Sequence, residues 1–181
     1  MDVPQRKTNR LTDFDYNTPG AYFITICTQD RKHILSEIVG DGFPILKSAG
    51  RIAEHFIQKI PEKYPNVTVD KYVIMPDHIH LLMQIQIAGE AFRLPEKRDG
   101  GTVPYERNDG TGNPSPTVGN VIGWFKYQVT KQLNILSDTP GGKVFQRSYY
   151  DHVIRNQRDY EEVWEYIEGN PVKWLEGKRD D

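Results

Sequence analysis

Apolar and polar positions alternate with two different periods along this chain, and the switches between them mark its elements. "GAYFITICTQ", from Gly20 to Gln29, is dense in β-branched and aromatic residues and follows a Pro-Gly turn signal, which predicts a strand. A second extended stretch is expected between His33 and Leu46, broken by "GDGFP". "SAGRIAEHFIQKIPEKY" places Ile52, His55, Phe56 and Ile60 at helical spacing, with Ser48 as the N-cap and Pro61 and Pro65 ending the helix. "VTVDKYVIMPDHIHLLMQIQI" has the length and alternation of two strands parted near Met75 and Pro76, because proline has no amide to give to a sheet ladder. From Ala88 to Pro116 the periodicity disappears into Gly, Pro, Asn and charge, as expected of a flexible loop inserted in the domain. Val118, Ile122, Phe125, Val129 and Leu133 then form an amphipathic helical stripe. "KVFQRSYYDHVI" is expected to be extended. A final helix should begin at an Asn156 N-cap, with Tyr160, Val163, Trp164 and Ile167 as its core stripe. The order of strands and helices points to one α+β sheet domain over residues 1–181, without internal repeats.

Composition changes this picture little. The 181 residues suffice for one real core, with 37% hydrophobic and 27% charged residues. No apolar run reaches the ~20 residues of a membrane helix, and the N-terminus carries no apolar signal region, so a cytoplasmic protein is expected. A single cysteine, Cys27, excludes an internal disulfide and a cysteine-built metal cluster. The formal net charge of -2 does not announce a nucleic-acid binder, but it hides an asymmetry. Thr117 to Asn156 holds five basic and two acidic residues, a balance of +3, whereas Gln157 to the end holds four basic and eight acidic, a balance of -4.

The chemistry is concentrated in "MPDHIHLLM", Met75 to Met83. On a strand, positions two apart share a face, so His78 and His80 project together while Ile79 and Leu81 point into the core. Two neutral imidazoles side by side can hold one divalent cation, given a further ligand from elsewhere. They can equally line the polar face of a half-buried strand. On the last helix Tyr166 and Asn170 are four residues apart, hence vertical neighbours beside the apolar stripe, with Glu162 on the same flank. A tyrosine hydroxyl and an amide there can meet a metal on the sheet; the plainer reading is a rim tyrosine, with Asn170 helping to end the helix before Pro171.

"VIMPDHIHLLM", "GNVIGWFKYQVTKQLN" and "FQRSYYDHVIRNQRDYEEVWEYIEGNPVKW" together resemble the REP-associated tyrosine transposases, members of the single-tyrosine transposase superfamily of HUH endonucleases. The resemblance runs from Tyr22 to Trp174, and its C-terminal block is the most specific part. It implies that His78 and His80 are paired metal ligands, that Tyr166 is the nucleophile, and that Asn170 stands where relatives place a polar third ligand, commonly glutamine. Glu162 is the fallback for that ligand. The implied fold is a ferredoxin-like α+β sandwich: an antiparallel sheet carrying the histidines, helices on one face, and the catalytic C-terminal helix at its edge.

The implied reaction is metal-dependent cutting and rejoining of single-stranded DNA near hairpins of repetitive extragenic palindromes, through a 5′-phosphotyrosine intermediate. Mg²⁺ or Mn²⁺ suits a mixed N/O ligand set. Lys126, Lys131, Arg147 and Arg155 are candidate phosphate contacts, and Tyr127, Tyr149 and Tyr150 candidate stacking platforms. His152 reads, with Arg155, as a DNA contact or a structural residue, and Arg6 to Arg10 as a basic arm. A homodimer, common in the superfamily, would complete the site in cis or in trans. Two other readings stay open: a hairpin-binding protein without turnover, and a phosphoesterase that uses water as its nucleophile.

Overall fold

The structure is a computed structural model, and it describes residues 19–86 and 116–179; the expected inserted loop, but for Pro116, and the expected basic arm lie outside the described residues. Its centre is a four-stranded antiparallel sheet of β1 (Gly20–Cys27), β4 (Val67–Ile74), β5 (His78–Ile85) and β6 (Tyr150–Ile154), in the order β4-β5-β1-β6. The remaining strands, β2 (Ser36–Val39) and β3 (Phe43–Leu46), form a separate hairpin. Three helices and one short turn of helix cover the sheet: α1 (Ser48–Gln58), α2 (Ile60–Lys63), α3 (Val118–Leu136) and α4 (Gln157–Arg179). The arrangement is the expected α+β one.

The period-two pattern divides β1 and β5 between two cores. Tyr22, Ile24 and Ile26 of β1 and Ile79, Leu81, Met83 and Ile85 of β5 bury against α1 and α3, the latter contributing Val118, Val121, Ile122, Phe125 and Val129. On the opposite face Ala21, Leu82 and Val73 meet Ile167 of α4, with Phe23, Tyr160, Val163 and Trp174 packed around them. Burying one such aliphatic side chain is worth about 1.5–3 kcal/mol, so both layers hold the sheet. Helix α4 therefore crosses the second face instead of lying at the sheet edge. Trp164, expected in its stripe, is more exposed than Tyr160, Val163 and Ile167 and lies under Lys71, whose Nζ is 4.3 Å from the ring centroid.

Some local expectations shift. Lys47, not Ser48, occupies the N-cap of α1, and no side chain caps that helix. Pro61 sits at the start of α2 instead of ending α1, a position where its missing amide costs nothing. Asn156 does cap α4: its Oδ1 accepts from the Asp159 amide at 3.0 Å. Pro171 lies inside α4, which continues to Arg179, so Asn170 does not terminate the helix.

Helix α4 is fastened along its length. The Tyr160 hydroxyl donates to Asp70 Oδ2 at 2.8 Å, at the bulge between Val69 and Lys71 in β4. Burial, with Asp70 beside it, pushes the Tyr160 phenol up to about 12, so it stays a donor. Lys71 Nζ reaches Glu168 at 3.0 Å. Gly42, at φ +104° in the hairpin, lies against Val172, where an added Cβ would come within 2.8 Å of Val172 Cγ2 and 3.1 Å of its backbone nitrogen. Only glycine suits both that backbone angle and that approach.

Candidate active site

The faces of β5 decide what the site contains. His78 and His80 lie on the α4 side, only 7% and 4% exposed, while Ile79 between them belongs to the other core. Cross-strand register sets Thr25 opposite His80 and Cys27 opposite His78. Above the pair, Tyr166 and Asn170 descend from α4 as the four-residue spacing requires. The Tyr166 ring lies 5.3 Å from the His80 ring and 5.7 Å, edge-on, from Phe23. Tyr166 is 40% exposed, so the phenol is held by its ring yet open to solvent. Asn170 is 8% exposed, and its side chain hydrogen-bonds His78. These residues line a cleft of about 720 Å³, together with Arg31, Tyr150, Lys173 and Trp174.

Each imidazole is oriented from behind. His78 Nδ1 lies 2.6 Å from Asp77 Oδ1, and a carboxylate only accepts, so the proton of neutral His78 sits on Nδ1 and its Nε2 carries a lone pair. His80 Nδ1 meets Thr25 Oγ1 at 2.9 Å. The Nε2 atoms of His78 and His80 face one another at 3.1 Å. Burial pushes both imidazoles down, His80 to about 3, with the neighbouring His78 and Arg31 adding to the effect there. The Thr25 hydroxyl can donate to His80 Nδ1 or accept from it, so His80 Nε2 either donates its proton to His78 Nε2 or turns a second lone pair toward it, the arrangement in which a cation fits between the rings. Two nitrogens ~2.1 Å from a common ion, at an angle of about 95°, lie about 3.1 Å apart, so the spacing suits a shared metal.

The surrounding polar groups limit which side chain could join the two imidazoles in holding a cation. Among the described residues no group of three or more His, Cys, Asp or Glu is placed to hold a metal. Glu162 pairs instead with Arg158 at 2.8 Å on the exposed side of α4. The buried amide of Asn170, beside His78, is the polar group left at the pair. Two imidazole nitrogens and one amide oxygen match a cation that accepts mixed N/O ligands.

Asp77, Thr25 and Arg31 were not singled out in the sequence, though Asp77 stands next to His78. The alternation rule would send Asp77 to the opposite face, but it lies in the turn before β5, where that rule does not apply. That turn is pinned: the Thr28 amide and hydroxyl both donate to the Asp77 carbonyl, at 2.9 and 3.0 Å, and the Leu35 amide donates to that of Pro76 at 3.1 Å. Arg31 Nε binds Asp77 Oδ2 at 3.1 Å. One carboxylate thus joins a guanidinium to the His78 imidazole.

The expected DNA contacts divide. The Lys126 ammonium donates to the carbonyls of Gln146, Arg147 and Ser148, fastening the segment before β6 to α3; it is engaged within the protein instead of being offered to phosphate. Lys131 and Tyr127 line a separate open groove of about 770 Å³ that shares no wall with the histidine cleft. Arg147 and Arg155 are exposed, Tyr149 is half-buried, and Tyr150, 52% exposed, lines the cleft itself. His152 Nε2 binds Asp159 at 3.0 Å, which ties β6 to the start of α4. Among the described residues no helix is long and apolar enough to cross a membrane.

No family model matches the chain. A Haemophilus influenzae protein of uncharacterized function is 32% identical over 174 residues, covering 95% of this chain and 91% of that one. A second protein of the same organism, named a candidate REP-associated tyrosine transposase, is 31% identical over 169 residues, covering 88% of this chain and 74% of its own. Among solved structures, a REP-associated tyrosine transposase bound to a REP hairpin superposes with a TM-score of 0.50 at 19% identity, over 85% of this chain and 67% of that one, a likeness of fold.

Proposed function

The chain belongs to the REP-associated tyrosine transposases, and from that premise we propose that it is a metal-dependent nuclease and strand transferase acting on single-stranded DNA beside hairpins. Residues 1–181 would act as a single HUH domain, with the segment about 88–116 as an insertion. The observation that carries the reading is the convergence of His78 and His80 Nε2, 3.1 Å apart, beneath the Tyr166 ring. A purely binding protein needs neither two buried imidazole nitrogens facing one another nor a tyrosine poised over them.

His78, His80 and Asn170 would hold Mg²⁺ or Mn²⁺. That ion, when bound, polarises the scissile phosphate and offsets charge on its non-bridging oxygens. Tyr166 Oη loses its proton and attacks phosphorus in line, the P–O bond to the departing 3′-oxygen breaks, that oxygen takes up a proton to become a free 3′-hydroxyl, and the 5′ end of the downstream segment is left as a phosphotyrosine. A free 3′-hydroxyl reverses the step and releases Tyr166, so bond energy is conserved without a nucleotide cofactor. Phe23 and His80 hold the phenol ring by its edges, which restricts the approach of Oη to the histidine side of the cleft. Tyr150 offers an exposed ring on which an unpaired base can stack at the same cleft.

The test is a labelled single strand carrying hairpins from the repeats flanking the gene, incubated with protein and Mg²⁺ or Mn²⁺. We expect an SDS-resistant protein–DNA adduct, lost in Tyr166→Phe and in His78→Ala. Cleavage surviving in Tyr166→Phe would transfer the chemistry to water, and tight binding without cleavage would leave a hairpin-binding protein.

A further inference from the structure

We propose that Arg31 grips the phosphodiester that enters the cleft, and that its pairing with Asp77 couples this grip to the orientation of His78. The proposal rests on the reading of the cleft as a site for a DNA phosphate.

Arg31 follows β1 in a single turn of 3-10 helix, Gln29–Arg31. Its guanidinium is fixed at two points: Nε on Asp77 Oδ2 at 3.1 Å, and Nη1 donating to Cys27 Sγ at 2.9 Å. Cys27 lines the cleft and Asp77 is buried beside His78, yet the Arg31 side chain, which also lines the cleft, remains 53% exposed instead of being sealed in an ion pair. A guanidinium anchored at Nε and Nη1 holds its remaining donors in a fixed plane, the geometry that suits phosphate oxygens.

The backbone gives a second, independent observation. Asp30 and Arg31 adopt φ of 55° and 54°, two successive residues with side chains in the left-handed region. Such conformations are costly without glycine and cluster where a side chain must be aimed. A turn that only joined β1 to β2 would be cheaper with glycine at these positions. The other cation lining the cleft, Lys173, lies with its Nζ 5.4 Å from the Tyr166 ring centroid, and among the described residues no carboxylate ties it to the histidines. Arg31 is thus the preorganised cation, and its charge is shared between Asp77 and whatever anion enters.

The measurement uses a thymidine dinucleotide, which carries one phosphodiester, and its uncharged methylphosphonate counterpart. Each is titrated by NMR into the full chain with EDTA present, so that metal retention does not contribute. The wild type is expected to bind the phosphodiester about tenfold more tightly than the methylphosphonate, the scale of one charge-assisted hydrogen-bonding contact. Arg31→Gln should bring that ratio close to one while leaving the methylphosphonate Kd unchanged. Arg31→Lys, which keeps charge without the planar fork, should fall between them. Asp77→Asn should retain most of the discrimination, and thermal melting identifies any variant that fails to fold. A wild type that does not discriminate, or an Arg31→Gln that discriminates as well as wild type, overturns the proposal. This outcome is separate from that of the adduct assay, because a protein that forms no adduct can still be scored for its phosphate grip.

Discussion

The two faces of β5 carry different kinds of information. Ile79, Leu81, Met83 and Ile85 bury into a layer of aliphatic side chains from α1 and α3, where any residue of similar volume and polarity would serve. His78 and His80, on the other face of the same strand, are buried almost as deeply but among oriented partners: Asp77, Thr25, Asn170 and the Tyr166 ring. The first face is specified by shape and hydrophobicity, the second by hydrogen-bond direction. A one-residue slip of β5 would exchange them, placing imidazoles in the aliphatic core and leucine under the tyrosine. Register therefore protects the chemistry as strongly as it protects the fold.

The contrast should break first in stability. Leu81→Ala, at a fully buried position, should cost about 2–5 kcal/mol in urea unfolding while leaving the adduct yield per folded molecule unchanged. A loss of yield in parallel with stability would mean that the faces are not separable.

Acid should act on the polar face alone. The folded imidazole of His80 is pushed down to about 3, whereas an unfolded histidine titrates near ~6.5. Below that value the unfolded chain takes up a proton that the folded chain refuses. The contribution is therefore fully present above ~6.5 and is lost as pH falls toward 3. With metal removed, stability should fall by about 2 kcal/mol between pH 7 and 5, with His78 contributing in the same direction. Unfolding midpoints at the two pH values measure this, and an unchanged midpoint would mean that the pair is not buried neutral.

The smallest effect sharpens the comparison most. Asp77→Asn removes the carboxylate that fixes the His78 tautomer but preserves its shape. It should weaken Mn²⁺ binding about 10- to 100-fold, read by calorimetry, and shift the melting temperature little.

Much of this organisation was legible in the residues themselves. Alternation gave the strands on either side of Pro76 and put the histidines on one face, and the helical period paired Tyr166 with Asn170. The misplaced parts depended on contacts distant in sequence. Helix α4 crosses the sheet face because Tyr160 reaches Asp70, Lys71 reaches Glu168 and Gly42 admits Val172, none of which periodicity within α4 encodes. Pro171 read as a helix end, since propensity says nothing about a helix held on both sides of the proline. Thr25 became a partner of His80 only through the register of β1 against β5, and Lys126 acquired its carbonyl partners only when the segment before β6 folded over α3. Local pattern shows which side chains share a face; it does not show what packs onto that face.

The most direct test of the central claim is anomalous diffraction from crystals of the protein soaked in Mn²⁺. The account predicts one strong peak within about 2.3 Å of both His78 Nε2 and His80 Nε2, with the Asn170 amide oxygen turned toward it. No peak at the pair, or a peak bound by one histidine alone with Asn170 turned away, would contradict it.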